Sequence, residues 1–169
     1  MSIRVGILTA SDKGSRGERE DLSGAMIREI VTGRGFTVEA YKILPDEREM
    51  LSGQMKEWCD GETVDLILTT GGTGFSQRDC MPEATLDIVE KQVPGIPEAM
   101  RYYSLQITPR AMLSRAAAGI RKKTLIINLP GSPKAVKENL ESIIDSLDHG
   151  IGILKGSESE CATPMQKSK

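Results

Sequence analysis

The chain has 169 residues, of which 38% are apolar and 27% are charged, as in an ordinary globular domain. Its 22 lysines and arginines and 24 aspartates and glutamates give a net charge of −2 without a basic run, which argues against nucleic acid as a partner. The sequence has no signal peptide and no run of about 20 apolar residues, so we expect a cytoplasmic protein that does not bind membranes.

Cysteine and histidine are too few for the sites that they usually form. Cys59, Cys80 and Cys161 are far apart and include no C-x-x-C pair, which predicts neither a disulfide framework nor a zinc site. His149 is the only histidine, and it falls where we expect the last helix to end. Any chemistry must therefore rely on carboxylates, backbone amides, hydroxyls or a bound cation.

Apolar runs rich in β-branched residues predict the strands. Residues 3–9, 66–70 and 124–129 suit strands that are buried on both faces of a parallel sheet. Residues 36–44 alternate between apolar and polar, which predicts a strand nearer an edge.

Apolar residues recur at helical spacing between these strands. The three clearest stripes are Leu22, Met26, Ile27, Ile30 and Val31; Leu51, Met55 and Trp58; and Val136, Leu140, Ile143, Ile144 and Leu147. Shorter helices are predicted over residues 82–91, 96–105 and 109–118. Strands that alternate with helices predict an α/β fold, with the sheet covered on both faces.

The sequence shows no internal repeat and no linker between domains, so we expect one domain over residues 1–155. The chain from residue 156 to residue 169 is polar and unpatterned, which predicts a flexible C-terminal tail.

The segments that follow the strands are the candidates for a binding site, because ligands of open α/β sheets bind at the carboxyl ends of the strands. These segments cover residues 9–14, 44–47, 71–79 and 128–134, and we expect them to open on one rim.

Two of these segments could bind an anion through backbone amides. Gly71, Gly72, Thr73 and Gly74 leave the backbone accessible to a phosphate or carboxylate, although a tight turn alone would also require glycine. Ser132 and Pro133 predict the capped start of the last helix, where free amides beside Lys134 could form an anion site. The alternative is simply a well-capped helix.

Two aspartates on separate loops of the predicted rim could hold a divalent cation against phosphate oxygens. Asp46 also has a structural interpretation, since Asp46 and Glu49 have the spacing of a capping box. Asp79 could equally be a solvated turn residue or the partner of Arg78. Cys80 has no histidine near it in the sequence, which favours a passive thiol.

Six motifs in order carry a resemblance to a known family. They are TASDKGSRG at the start, LPDE at 44–47, TTGGTGFSQRD at 69–79, PEAT at 82–85, LSRAAAG at 113–119 and NLPGSPKA at 128–135. Over about the first 155 residues, the sequence resembles the molybdopterin adenylyltransferase family of MogA and MoaB proteins and the G domain of gephyrin. The resemblance implies a three-layer α/β/α fold with a mostly parallel sheet. It also implies that molybdopterin and Mg-ATP react to give adenylyl-molybdopterin and pyrophosphate.

The resemblance also assigns residues. The two essential aspartates of the family correspond to Asp46 and Asp79, which would hold Mg²⁺, and its glycine loop corresponds to residues 71–74. Its other ligand-facing positions correspond to Ser11, Asp12, Ser114, Asn128, Gly131, Ser132 and Lys134. Cys80 and Met81 stand where many relatives have Val-Thr, so the resemblance does not imply the substrate contacts that the threonine hydroxyl would make. Which loop holds the pterin and which the nucleotide also stays open.

A second function is compatible with the same resemblance, namely a non-catalytic molybdopterin-binding or scaffold module of the MoaB type. Retention of both aspartates favours the enzyme. The family implies a homotrimer in the MogA branch or a hexamer in the MoaB branch, and we expect a trimer. The apolar residues between 92 and 118 could form the subunit contact or pack under the sheet edge. Hand-over of the product to a molybdenum insertase, in a molybdenum or a tungsten pathway, is a further expectation.

Overall fold

The computed structural model describes residues 2–157. Six strands form one sheet: β1 (Arg4–Ala10), β2 (Thr37–Leu44), β3 (Leu66–Thr70), β4 (Lys91–Gln92), β5 (Ala118–Arg121) and β6 (Thr124–Leu129). Their order across the sheet is β2-β1-β3-β6-β5-β4. The first four strands in this order are parallel, whereas β5 pairs antiparallel with β6 and β4 antiparallel with β5.

Six α-helices and one 3-10 helix complete the described part of the chain. They are α1 (Asp12–Ser15), α2 (Leu22–Gly33), α3 (Arg48–Asp60), α4 (Met81–Leu86), α5 (Gly95–Leu105), the 3-10 helix Pro109–Leu113 and α6 (Pro133–Lys155). Within residues 2–157, none of the helices has both the length and the apolar composition needed to cross a membrane.

The central strands are buried on both faces, and consecutive residues contribute to different cores. Ile7, Leu68 and Ile127 belong to the core covered by α2, α5 and α6. Their neighbours Leu8, Ile67 and Ile126 belong to the core under α3 and α4. The three-layer α/β/α fold with a mostly parallel sheet is therefore confirmed, as are the predicted strands 66–70 and 124–129.

The region after β3 differs from the sequence prediction. The helix predicted over 82–91 ends at Leu86, and Lys91–Gln92 form the edge strand β4. The helix predicted over 109–118 is a 3-10 helix that ends at Leu113, and Ala118 begins β5. A strand of two residues shows no period of two in the sequence, and β5, with four residues, is at the lower limit for such a pattern.

The end of the last helix also lies further along the chain than expected. His149 lies inside α6, which continues to Lys155 and ends at Gly156 in the left-handed conformation, φ +73°. The amide of Ser157 donates to the carbonyl of Gly152 at 3.0 Å. From residue 158 on, the predicted tail 156–169 lies outside the described residues.

Candidate functional site

The carboxyl ends of the parallel strands open on a cleft of about 760 Å³. As predicted, the segments after β1, β2, β3 and β6 all contribute, for example through Ser11, Asp46, Gly71 and Gly131. The segment that leads into α2 forms a further wall, which the sequence did not indicate. The cleft thus lies where the topological rule for open α/β sheets predicts a ligand site.

The loop after β3 requires glycine at two positions. Gly71 and Gly72 have φ values of +88° and +69°, in the left-handed region that side chains disfavour. A Cβ atom on Gly71 would collide with the carbonyl oxygen of Ala10. A Cβ atom on Gly72 would stand 3.3 Å from Oδ1 of Asp46. The glycines therefore let this loop lie close to β1 and to the Asp46 carboxylate.

Arg115 holds the rest of the glycine loop in place. Its backbone amide donates to the carbonyl of Thr73 at 2.9 Å, and its guanidinium donates to the carbonyls of Gly74 at 2.7 Å and Asp79 at 3.1 Å. The guanidinium also forms an ion pair with Glu83. Arg115 lies within the motif LSRAAAG, but no local pattern marks it as the residue that fixes the loop.

The side chain of Asp79 is oriented by its own loop. Its Oδ2 atom accepts hydrogen bonds from the backbone amides of Gly74 and Ser76, both at 3.1 Å. Arg78 pairs with other residues, so the predicted alternative of an Asp79–Arg78 pair is wrong. Asp79 lines the cleft, and two fixed amides set the position of its carboxylate.

Asp46 is not a capping residue. Glu47 occupies the N-cap of α3 without a side-chain hydrogen bond, so the predicted capping box does not form. Oδ2 of Asp46 accepts a hydrogen bond from the amide of Asp12 at 3.2 Å, and the amide of Asp46 donates to Oδ1 of Asp12 at 3.0 Å. Burial, then the neighbouring charges of Asp12 and Asp79, raise the pKa of Asp46.

The guanidinium of Arg78 holds the carboxylate of Asp12. Nε and Nη2 of Arg78 donate to its two carboxylate oxygens at 3.0 and 2.8 Å. This hydrogen bonding, with the amide of Asp46, lowers the pKa of Asp12 to about 2. Asp12 lines the cleft, and both of its carboxylate oxygens already have partners.

Three other residues assigned by the resemblance also lie on the cleft. Ser11 caps α1 by accepting from the amide of Gly14 at 2.9 Å. Ser132 caps α6 by accepting from the amide of Ala135 at 3.2 Å, as predicted. The carbonyl of Gly131 accepts from the hydroxyl of Ser23 at 2.6 Å.

Asn128 does not reach the cleft. It is fully buried in β6, where its amide group donates to Thr69 at 3.0 Å and to Thr85 at 2.8 Å. Its Oδ1 atom accepts from the amide of Ala117 at 3.1 Å. The ligand-facing position expected for Asn128 is therefore corrected to a buried one that joins β6 to β3, α4 and the start of β5.

Four more assigned residues lie away from the cleft lining. Thr73 is buried, and the amide of Gly74 donates to Asp79, but neither residue lines the cleft. Ser114 lines a separate cavity of about 200 Å³. The Lys134 side chain is 81% exposed and lies 3.7 Å from Glu138, so it does not face the cleft.

Several cleft residues were not singled out from the sequence. They include Lys13, Arg19, Glu20 and Asp21. Lys13 and Arg19 are the cationic side chains among the described lining residues, while Glu20 and Asp21 add to the three carboxylates of Asp12, Asp46 and Asp79. Asp21 caps α2 through the amide of Gly24 at 2.9 Å. The hydroxyl of Tyr41 also donates to Asp21, and burial, then this bond, raises the pKa of Tyr41.

The donor set of the cleft is compatible with a magnesium ion that also contacts substrate. Within residues 2–157, no group of three acidic, histidine or cysteine side chains could hold a metal ion alone. Asp46 and Asp79 adjoin the same glycine loop, and the charge of Asp79 raises the pKa of Asp46. Mg²⁺ is commonly bound by one or two carboxylates together with substrate phosphates. These two residues therefore fit such an ion.

Comparison with known proteins identifies the family of the chain. Residues 6–149 match a family model described as a "probable molybdopterin binding domain". The molybdopterin adenylyltransferase of Helicobacter pylori (strain J99) is 42% identical over 159 residues, which cover 93% of this chain and 90% of the relative. The molybdopterin adenylyltransferase of Escherichia coli K12 is 39% identical over 157 residues, which cover 89% and 80%.

Solved structures show the same similarity. The molybdopterin biosynthesis enzyme MoaB from Thermus thermophilus superposes with a TM-score of 0.86 at 50% identity, covering 91% of this chain and 97% of that chain. A molybdopterin biosynthesis Mog protein from Mycobacterium ulcerans has a TM-score of 0.84 at 33% identity, covering 92% and 99%. The chain therefore belongs to the molybdopterin-binding family of molybdopterin adenylyltransferases, MogA proteins and MoaB proteins.

Proposed function

We propose that the chain is a molybdopterin adenylyltransferase that acts in molybdenum cofactor biosynthesis. A phosphate oxygen of molybdopterin attacks the α-phosphorus of ATP, the bond to the bridging oxygen of the β-phosphate breaks, and pyrophosphate leaves with that electron pair. The observation that carries the proposal is the placement of Asp46 and Asp79 beside one glycine loop in the cleft of a family member. Relatives of about 40% identity named for this activity support it.

Asp46 and Asp79 are the residues that would hold Mg²⁺ in the cleft. When bound, the ion supplies positive charge that offsets the repulsion between two phosphate anions. Burial and the charges of Asp12 and Asp79 raise the pKa of Asp46, and a bound cation would offset this cost of keeping its carboxylate ionised. The amide groups that fix Asp79 keep its carboxylate in one place during the step.

Cationic side chains of the cleft would bind phosphate oxygens. Lys134 was expected in this role from the sequence, but Lys13 and Arg19 line the cleft instead. Gly71 and Gly72 line the cleft and carry no side chains, so a phosphate could approach their backbone there. The attacking phosphate is already ionised near neutral pH, so the step requires no strong general base.

The non-catalytic alternative is not favoured, because the catalytic pair is retained and the relatives carry the name of the enzyme. We further propose that the chain forms a homotrimer in the cytoplasm and passes its product to a molybdenum insertase. Six large apolar side chains between residues 102 and 113 are exposed, which supports a subunit contact: Tyr102, Tyr103, Leu105, Ile107, Met112 and Leu113. Light scattering at micromolar concentration should then report about three times the chain mass.

Pyrophosphate release by the purified protein tests the proposed reaction. We expect release only when molybdopterin, ATP and Mg²⁺ are all present, and we expect Asp46→Asn and Asp79→Asn to abolish it while substrates still bind. Asp87→Asn is the matched control, because Asp87 pairs with Arg48 at the surface and does not line the cleft. Wild-type protein that releases no pyrophosphate, or aspartate variants with normal turnover, would exclude this mechanism.

A further inference from the structure

Arg78 joins three of the loops that form the cleft. It lies in the loop after β3, and its side chain is 51% exposed. Its guanidinium donates to both carboxylate oxygens of Asp12, which follows β1, at 3.0 and 2.8 Å. The same Nη2 atom donates to Oε1 of Glu47, which follows β2, at 2.9 Å. One planar side chain therefore connects the loops after β1, β2 and β3.

Asp12 transmits this connection to Asp46. The two aspartates exchange hydrogen bonds in both directions, since each amide donates to the carboxylate of the other at 3.2 and 3.0 Å. Both oxygens of Asp12 are engaged by Arg78, and one of them also accepts from Asp46. Asp12 thus directs its amide at the Asp46 carboxylate while its own carboxylate stays occupied.

The other catalytic carboxylate is next to Arg78 in the chain. Asp79 is fixed to the loop by the amides of Gly74 and Ser76. Arg78 therefore connects the loop that carries Asp79 to the residue that orients Asp46. Exposed ion pairs contribute little to folding stability. We therefore expect the Arg78–Asp12 pair to affect the positions of the cleft loops more than the stability of the fold.

We propose that Arg78 is a positioning residue for the transfer step, because its guanidinium fixes the carboxylate of Asp46 relative to Asp79 through Asp12. The inference rests on the proposed adenylyl transfer and adds to it a residue that does not itself touch the reacting atoms. Rates of transfer depend steeply on geometry, and a displacement of about 1 Å can cost about 100-fold. Lysine retains the charge of Arg78 but cannot form the two-pronged contact with Asp12.

Arg48 provides a matched control. Its Nε and Nη2 atoms donate to the carboxylate of Asp87 at 2.7 and 2.6 Å, and its side chain is 53% exposed. The pair has the same two-pronged geometry as Arg78–Asp12 and a similarly exposed arginine, but it contributes no residue to the cleft lining. Arg48→Gln therefore reports what the loss of a surface ion pair does by itself.

Steady-state kinetics of these variants test the proposal. We expect Arg78→Gln to lower kcat about 100-fold with little change in either KM, and Arg78→Lys to lower it about 10-fold. Arg48→Gln should resemble wild type. Combining Arg78→Gln with Asp12→Asn should cost no more than the larger single effect, because both remove the same contact.

Amide hydrogen exchange gives a second readout that requires no substrate. The amides of Asp12 and Asp46 donate to the carboxylates that Arg78 orders, so we expect Arg78→Gln to reduce their protection about 10-fold or more. Arg48→Gln should leave the protection of both amides unchanged.

Two results would overturn the proposal. A raised KM with unchanged kcat would show that Arg78 binds substrate directly, and unchanged kcat together with unchanged protection would show an ordinary surface pair. Failure of the proposed function looks different, because wild-type protein would then transfer no adenylyl group. In that case the exchange experiment still decides whether Arg78 orders Asp46: unchanged protection would refute the positioning role, and lost protection would support it.

Discussion

Replacement of Asn128 by alanine separates a structural role from a ligand contact. Asn128 is fully buried, and its side chain makes three hydrogen bonds, to the Thr69 and Thr85 hydroxyls and to the Ala117 amide. The family resemblance assigns this position to ligand binding, whereas the structure places it behind the cleft. The Asn128→Ala variant should therefore lose stability and retain the chemistry of its folded molecules.

The size of the effect follows from the three hydrogen bonds. The amide of Ala117 loses its acceptor, which costs about 1 to 3 kcal/mol when no water replaces it. The two threonine hydroxyls each lose a donor but can still donate their own proton, so each lost bond there costs about 1 kcal/mol or less. We expect the free energy of unfolding to fall by about 3 kcal/mol, which lowers Tm by about 6 to 12 °C in a domain of this size.

Urea unfolding and activity measured on the same preparations decide between the two roles. Thr85→Val removes one of the three partners and leaves one N–H of the buried Asn128 amide group without its acceptor, so its free energy of unfolding should fall by about 1 to 3 kcal/mol. Both variants should show wild-type kcat and KM under conditions in which they are folded. An Asn128→Ala protein of wild-type stability that has lost affinity for ATP or molybdopterin would refute the buried role.

Three further predictions concern the glycine loop, the cationic side chains and acid stability. Gly72→Val should weaken binding of ATP or molybdopterin in calorimetry by about 10-fold or more, while Gly53→Ala in α3, whose Cβ would meet nothing within 4 Å and which does not line the cleft, should not. Equal affinities of Gly72→Val and wild type would show that the loop is only a turn. The double variant Lys13→Ala, Arg19→Ala should raise the KM for a phosphate-bearing substrate by about 10-fold. The control Arg16→Ala, which loses its pair with Glu18, should leave this KM unchanged, and an unchanged KM in the double variant would show that Lys13 and Arg19 do not bind the substrate. Burial acts to raise the pKa of Asp65, but hydrogen bonds from Arg4 and Lys155 outweigh it and lower that pKa. Because the folded pKa lies below the unfolded one, this contribution to stability is present above about pH 4 and is lost as the pH falls further. Asp65→Asn should thus be about 2 kcal/mol less stable at pH 7, with a smaller difference at pH 3, and a difference that does not depend on pH would contradict this cause.

The sequence predicts the centre of the sheet well because burial on two faces leaves a strong pattern. The stretches that became β3 and β6 consist of consecutive buried residues, so no neighbouring element is needed to identify them. The antiparallel edge is different, since Lys91–Gln92 form a strand only where Ala118–Arg121 lie beside them. Partners distant in the sequence thus decide the secondary structure there.

In the site, too, some features follow from the local sequence and others depend on partners that are distant in the chain. The rule that ligands bind at the carboxyl ends of strands brings Asp46 and Asp79 to one rim without any knowledge of side-chain contacts. The interpretation of Asp46 as a helix cap failed, because an amide 34 residues away in the chain, that of Asp12, takes its carboxylate instead. Arg78 and Arg115 act through carbonyls and carboxylates of other loops, and such partners have no signature in local spacing.

The central claim is that the cleft transfers an adenylyl group to molybdopterin. Mass spectrometry of a single-turnover reaction, with enzyme in excess over molybdopterin and with Mg-ATP present, tests it most directly. We expect wild-type protein to convert molybdopterin to adenylyl-molybdopterin, with one pyrophosphate released for each product, and we expect neither product from Asp46→Asn or Asp79→Asn. Unmodified molybdopterin that stays bound to the wild-type protein in the presence of Mg-ATP would contradict the claim and indicate a binding module.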